Sequence, residues 1–341
     1  MRQVRSILVR WAWVSLAIVC GIIPAFLVAR ASEVVLGISS RESRVTEARG
    51  EDGDPEALQF GSKKDTTPEG SAYANDTNSS IPALTVDFIE RIEERLPHVR
   101  DPKVTAETYG VYELEGGARI LESESFRVVP IASLTKILTA IVAVEEMNLD
   151  DTVTVSDSAI ATYGTTGGLR IGERLRLHEL MYPLLMESSN DAAEAIAEHF
   201  GRTRFLIAMN TRAHEIGAMR TRLVDPSGLS DKNVSSADDV AALVTYFALH
   251  HPELFRVTTL KEHKVRGHIW RNGSPLLALP GYGGGKNGYT DEAKSTAAAI
   301  FRVSLEDGRE RTLIVVVLRS TKRADDVGTL LAAAAVRLKE E

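Results

Sequence analysis

At 341 residues with 44% apolar side chains, the chain can bury one substantial core, and two separate domains would each be small once the N-terminal region is set aside. Its formal charge of -7 and the absence of a long Lys/Arg run leave no electrostatic footprint for nucleic acid, which excludes that class of partner. The single cysteine, Cys20, lies in an apolar segment, so neither an intramolecular disulfide nor a cysteine-held metal is available.

Residues 1–10 carry Arg2, Arg5 and Arg10 and read as a cytoplasmic N-terminus. The run Trp11 to Ala29 is apolar almost throughout, and its 19 residues nearly match a bilayer-spanning helix, which makes 11–29 a transmembrane signal-anchor. The rest of the chain would then lie outside the cytoplasm at the cell membrane. Ala29-Arg30-Ala31 offers a small-residue cleavage site as the alternative, which would release a secreted domain, and Val19 ahead of Cys20 argues against lipoprotein processing. Residues 30–83 form a linker: from about Ser39 to Ser80 the chain is rich in Glu, Asp, Ser, Thr and Gly, too polar to offset its ordering entropy by burial. Asn75-Asp76-Thr77 matches a glycosylation acceptor, a pattern that chance explains in a polar linker.

The folded domain is expected over 84–341, opening with a packing helix through Leu84, Phe88, Ile89, Ile92 and Leu96. Two apolar-rich runs, Thr105 to Leu114 and Ala118 to Glu124, flank Gly116-Gly117 and predict a β-hairpin. After Pro130 a helical pattern runs from about Ser133 to Glu146. Further helices are expected at His178 to Glu187, Asp191 to Phe200, Arg202 to Ile216 and Ala237 to His250. Strands come next near Gly284 to Thr290, Ser295 to Val303 and Thr312 to Leu318, and Ala324 to Leu338 closes the chain as a helix. Strands at both ends with helices between them imply an α+β fold, its sheet assembled from distant segments.

Three short patterns carry the chemistry. In Ser133-Leu134-Thr135-Lys136 a spacing of three places a hydroxyl and an amine on one helical face. Serine needs an adjacent base to become a nucleophile, and an ammonium cannot accept a proton, so Lys136 must be buried or sit near positive charge. Lys286, from the late strand, can supply that charge. In Ser188-Ser189-Asn190, Ser188 can relay a proton and Asn190 offers both a donor and an acceptor to a peptide backbone, while either Ser189 or Asn190 can instead cap the following helix. Lys286-Asn287-Gly288 comes directly after the glycines 283–285, so an exposed strand edge there can pair with a peptide and bring Lys286 near its carboxylate.

In that order the three segments resemble the low-molecular-mass penicillin-binding proteins, the serine D-alanyl-D-alanine carboxypeptidases of peptidase family S11. The similarity spans roughly Ala106 to Leu338 and is wider than the triplets. It includes Pro130 through Lys136, Gly172-Glu173-Arg174-Leu175 with Leu184 through Ala193, Asp225-Pro226-Ser227-Gly228-Leu229 with Ser235 through Asp239, and Gly285 through Ala293. The resemblance implies the penicillin-binding-protein and serine β-lactamase-like transpeptidase fold, an antiparallel sheet of N- and C-terminal strands with a helical subdomain inserted. It implies that 84–341 is a catalytic domain removing terminal D-alanine from peptidoglycan stem peptides, trapped covalently by β-lactams and needing no metal or cofactor. Ser133 would form the acyl-enzyme, Lys136 would be its base and Ser188 a proton relay. Asn190, Lys286, Asn287, Gly288, Tyr289, Thr290 and, by a loose match, Arg323 would bind substrate, and the Ser133 and Tyr289 amides would form the oxyanion hole.

Two departures from the family pattern stand out. Asn287 replaces the usual Thr or Ser between the third-motif lysine and glycine, so carboxylate binding or rate is expected to differ. The common C-terminal β-domain and amphipathic helix do not follow, and the N-terminal segment would replace that anchor. Competing readings are a serine β-lactamase, a D,D-endopeptidase acting on cross-links, and a weakly active peptidoglycan-binding protein. Between Asn190 and Lys286 there is no Glu-x-x-Leu-Asn, the deacylation signature of class A β-lactamases. A zinc peptidase is disfavoured because His178-Glu179 and His214-Glu215 lack a second histidine four positions after the first.

Overall fold

The strand Glu310–Ser320 carries an unbroken apolar run, Leu313 to Leu318, too rich for a strand with one wet face. In the computed structural model, which describes residues 102–305 and 308–340, that run is buried on both sides. Leu313, Val315 and Val317 pack on one core while Ile314, Val316 and Leu318 pack on another. The strand is the centre of a five-stranded antiparallel sheet formed by β1 (Thr108–Glu113), β2 (Arg119–Ser123), β3 (Tyr282–Thr290), β4 (Lys294–Ser304) and β5 (Glu310–Ser320), in the order β2-β1-β5-β4-β3. The expected hairpin and the three late strands thus join into one sheet, and β3 is left as an edge.

The longer helices among the described residues are α1 (Lys136–Glu146), α2 (Asn190–Phe200), α3 (Arg202–Ile216), α4 (Ala237–His250) and α5 (Arg323–Glu340). On one face of the sheet α5 presents Val327, Leu330, Leu331 and the small residues Ala333 to Ala335, which let its backbone come close to β4 and β5. On the other face α1 to α4 form the larger core, with Ile137, Ile141, Ile196, Phe205, Val244 and Phe247 fully buried. Each such Ile or Phe contributes about 1.5–3 kcal/mol by leaving water. This is the α+β architecture, with the helical region inserted between early and late strands.

Local geometry departs from expectation where the motifs lie. Ser133 is not inside an α-helix: Ala132–Thr135 is a 3₁₀ turn, α1 starts at Lys136, and Ala132 is left-handed with φ 48°. The helix expected over 178–187 is α-helical only from Leu177 to Tyr182. Pro183, which has no N–H to donate, opens a π-helical turn through Glu187 that ends with Ser188 left-handed at φ 64°. Two short pairings carried no sequence signal, Thr152–Thr154 with Arg174–Arg176 and Glu262–Val265 with His268–Arg271, because three or four residues cannot display a period. The signal-anchor 11–29, the linker 30–83, the acceptor at Asn75 and the helix through Leu84 to Leu96 lie outside the described residues. No helix among the described residues is long and apolar enough to cross a membrane.

Candidate active site

The strained 3₁₀ turn is held from three directions. Ile131 N donates to Asn233 O at 3.0 Å, and Thr296 Oγ1 on β4 donates to Ile131 O at 3.1 Å. Gly288 on β3 lies directly against the turn, since a Cβ built there would be 2.7 Å from Ser133 N. Non-glycine residues in the left-handed region cost about 1–3 kcal/mol and persist only where their surroundings over-determine them, which these contacts do for Ala132.

One turn on, Lys136 is fully buried and its Nζ meets three oxygens: Ser133 Oγ at 3.1 Å, Asn190 Oδ1 at 2.7 Å and Ser227 O at 2.5 Å. The Asn190 orientation is set by its other end, where Nδ2 donates to Tyr163 O at 2.9 Å. Two of the three oxygens, an amide and a backbone carbonyl, can only accept. A neutral Lys136 has two N–H donors and one lone pair, so its hydrogens go to Asn190 and Ser227 and its lone pair faces the Ser133 hydroxyl. That is the geometry of a base poised on a serine.

Burial pushes the Lys136 amine down to about 7, against the opposing pull of Asp225, Asp191 and Glu194. A substantial fraction is then free base near neutral pH. Lys286 on β3 is also buried, and its Nζ donates to Ser188 Oγ and to Asn287 O, each at 2.8 Å. Burial first, then the positive charges of Lys136 and Arg323, hold Lys286 well below the ordinary lysine value. Of the two causes the sequence leaves open for a lowered Lys136, burial is the leading one, and the neighbouring Lys286 amine is itself held low by burial and by repulsion from Lys136.

The three motifs therefore meet. Ser133, Lys136 and Asn190 form one contact group, Ser188 and Lys286 a second, and Gly288 joins the third motif to the nucleophile turn. Asn190 is not the helix cap. Ser189 is, its Oγ accepting from Ala192 N at 3.0 Å. Arg323 is half-buried and its Nη1 donates to Gly288 O at 2.8 Å, so it reaches the third motif from the start of α5. Tyr289 is exposed on β3 with its hydroxyl on Asp291 at 3.1 Å, and the Thr290 hydroxyl closes the β3–β4 turn by accepting from Ala293 N at 3.0 Å. Asn287 is half-buried on the same edge strand, opposite Ala297. Among the described residues no group of three or more His, Cys, Asp and Glu side chains is placed to hold a metal ion.

What sequence reasoning missed is the third ligand of Lys136. The stretch Asp225 to Leu229 entered only as part of a resemblance, and its role is structural support of the amine through Ser227 O. The signal was present as Asp-Pro-Ser-Gly, a turn composition, but nothing in it says what the turn touches.

Position 287 carries the clearest difference from the family pattern. Exchanging Asn287 for Thr replaces a long amide with a compact hydroxyl on the β3 edge. One hydrogen bond to a charged group is worth about 1.5–3 kcal/mol, so Asn287→Thr is expected to raise kcat/KM for D-alanine release by about tenfold with the melting temperature unchanged. Steady-state assay of stem-peptide hydrolysis decides it, and an unchanged or lower value would mean that the amide is a working substitute.

The comparisons agree with this geometry. Residues 96–321 match the profile of the D-alanyl-D-alanine carboxypeptidases, peptidase family S11. A D-alanyl-D-alanine endopeptidase of Pseudomonas aeruginosa is 35% identical over 142 residues, covering 40% of this chain and 46% of that protein. A D-alanyl-D-alanine carboxypeptidase of Mycobacterium tuberculosis is 30% identical over 206 residues, covering 57% of this chain and 70% of that one. The matched part thus spans from under half to about two thirds of these curated relatives. Penicillin-binding protein D2 from Listeria monocytogenes, solved in its cefotaxime-bound form, superposes with a TM-score of 0.61 at 25% identity, covering 68% of this chain and 98% of that one. On its sequence and on its fold, the chain belongs to peptidase family S11, the serine D-alanyl-D-alanine carboxypeptidases.

Proposed function

We propose that the protein is a serine D-alanyl-D-alanine carboxypeptidase acting on peptidoglycan stem peptides. The observation that carries the reading is the buried Lys136 amine, whose two hydrogens are taken up by Asn190 and Ser227 so that its lone pair faces the Ser133 hydroxyl. Ser133 Oγ bonds to the carbonyl carbon of the penultimate D-alanine while its proton passes to Lys136. The developing oxyanion is met by the Ser133 and Tyr289 amides. Collapse breaks the amide C–N bond, and the proton that Lys136 took from Ser133 passes through Ser188, whose oxygen is in contact with Lys286, to the nitrogen of the leaving D-alanine, which returns Lys136 to its free-base form. Water, deprotonated by Lys136, then attacks the ester carbonyl, the acyl C–O bond to Ser133 breaks, and Lys136 returns the proton to the Ser133 oxygen. The peptide lies along the free edge of β3, with Asn190 at its backbone and Asn287, Gly288, Thr290, Lys286 and Arg323 at its terminal carboxylate. A β-lactam offers the same serine a strained amide and stays attached as the acyl-enzyme.

The basic start and the apolar run at 11–29 support a placement outside the cytoplasm, with the domain tethered to the cell membrane or, after cleavage near Ala31, secreted. A second reading, D,D-endopeptidase cleavage of cross-links, is favoured by the 35% identity to an enzyme of that name. It uses the same serine and differs in the leaving group, which is a cross-linked peptide rather than free D-alanine. Purified protein given a stem pentapeptide, a cross-linked muropeptide dimer and a chromogenic cephalosporin is expected to release D-alanine with slow cephalosporin turnover. Dimer cleavage without D-alanine release selects the endopeptidase, and fast cephalosporin turnover without either would make it a β-lactamase.

A further inference from the structure

Behind the amine lies a buried carboxylate that the reaction itself does not use. Asp225 is only 8% exposed and gathers five donors from the four residues after Pro226. Its Oδ1 accepts from Ser227 N at 2.9 Å, Ser227 Oγ at 2.8 Å, Gly228 N at 2.6 Å and Leu229 N at 3.3 Å, and its Oδ2 accepts from Ser230 N at 2.8 Å. This folds the loop around one side chain, and the loop's outer face is the back wall of the site. Ser227 O takes a hydrogen from Lys136, Pro226 O accepts from Thr139 Oγ1 of α1 at 2.6 Å, and Gly228 lies against Ala132 O and Ser133 N. Asn233 locks the base of the loop, Nδ2 donating to Asp225 O at 2.9 Å and to Thr135 Oγ1 at 3.1 Å.

Building on the proposed function, we propose that Asp225 is the positioning residue of the nucleophile–base pair. Its carboxylate fixes the turn that offers the Ser227 carbonyl to Lys136 and sets Gly228 against the Ser133 amide. A carbonyl displaced by even an ångström no longer claims one Lys136 hydrogen, and the lone pair is then free to rotate off the Ser133 hydroxyl. Geometry makes the case, and charge adds to it: among the groups facing Lys136, Asp225 pulls hardest toward the ammonium, ahead of Asp191 and Glu194 from α2, with Lys286 opposing from β3. Shape and charge separate by substitution. Asparagine keeps the Oδ1 acceptor, discards the charge and presents an amide where Ser230 N needs an acceptor. Glutamate keeps the charge and carries it one methylene too far.

The test is acylation of Ser133 by a fluorescent penicillin, followed across pH on the full-length chain alongside thermal unfolding. Asp225→Asn is expected to lower the second-order rate by about 10- to 100-fold, the cost of a small misplacement of reacting groups, and to move the acid limb to lower pH because an anion near Lys136 is gone. Asp225→Glu is expected to lower the plateau while leaving the acid limb in place, a split that simple loss of stability does not produce. Unaltered plateaus and limbs in both variants, or losses that only track the unfolded fraction, overturn the proposal. Should Asp225→Asn not fold, Ser227→Ala decides: it removes one donor from the cage and leaves the carbonyl, so a rate about threefold lower supports the idea and an unchanged rate refutes it. Absence of any adduct in the unaltered chain would overturn the function and the proposal together, whereas an adduct with indifferent variants overturns the proposal alone.

Discussion

Exchanging Ser133 for alanine is expected to abolish the penicilloyl adduct and D-alanine release, and exchanging Lys136 for arginine to slow acylation about 1,000-fold or more. The two losses have different causes. Without the Ser133 oxygen no acyl bond can form, while Lys136 still keeps the two carbonyl acceptors that satisfy it, so the fold is retained. Arginine cannot release its proton in any accessible pH range, and its planar fork does not match three acceptors gathered around one nitrogen. Intact-mass measurement of the adduct reads both variants, and an adduct retained by Ser133→Ala would remove that serine as nucleophile. In the unaltered protein the acid limb of acylation against pH is expected near the value to which burial lowers Lys136, about 7. The sign comes from the role: the free amine is the active form, so the rate rises as pH rises through that limb. Because Lys286 is also held low, partly by Lys136, the limb belongs to the pair of amines. In the arginine variant that limb should vanish along with the rate.

Why the site was legible, and where it was not, comes down to distance along the chain. Ser133 and Lys136 are three residues apart and α1 begins at the second of them, so their contact is a local fact that spacing reports. Glycines before Lys286 allow a close backbone approach, and Gly285 makes one, since a Cβ there would collide with β4; Gly288, after the lysine, lies equally close to the nucleophile turn. Helices α2, α3 and α4 were readable because their apolar faces are long and their starts are capped or preceded by glycine. The left-handed Ala132 and Ser188 were not, since both are imposed by contacts with distant segments and neither residue type asks for that conformation. Arg323 shows the same limit. At the start of a helix an arginine looks solvated, and only the closure of the sheet brings Gly288 O within 2.8 Å of it. The carbonyl of Ser227 is invisible for a further reason, because backbone acceptors carry no residue identity and any amino acid presents one.

Changing Gly228 to alanine is expected to harm both stability and chemistry through a single contact. At φ +85° the residue is left-handed, a conformation that costs an alanine about 1–2 kcal/mol. The added Cβ would stand 2.0 Å from Ala132 O, 2.4 Å from Ala132 C and 2.9 Å from Ser133 N. These are backbone atoms of a turn pinned on three sides, so nothing can swing away and the whole turn must shift. With overpacking adding about 1–3 kcal/mol, the total is about 3 kcal/mol, or a fall of about 10 °C in melting temperature for a domain of this size. The shift also moves Ser133 relative to Lys136, whose amine is held separately by Asn190 and the same loop, so acylation should fall about 100-fold even below the melting transition. Gly288→Ala is the informative contrast. Its backbone needs no left-handed residue, and of its three nearest neighbours Thr296 Oγ1 at 2.9 Å belongs to a side chain while Ser133 N at 2.7 Å does not. Its penalty should therefore appear more in acylation than in melting. Calorimetry and stopped-flow acylation on the two variants separate the effects, and a Gly228→Ala protein that melts and acylates like the unaltered chain would show that the turn is not confined as the contacts require.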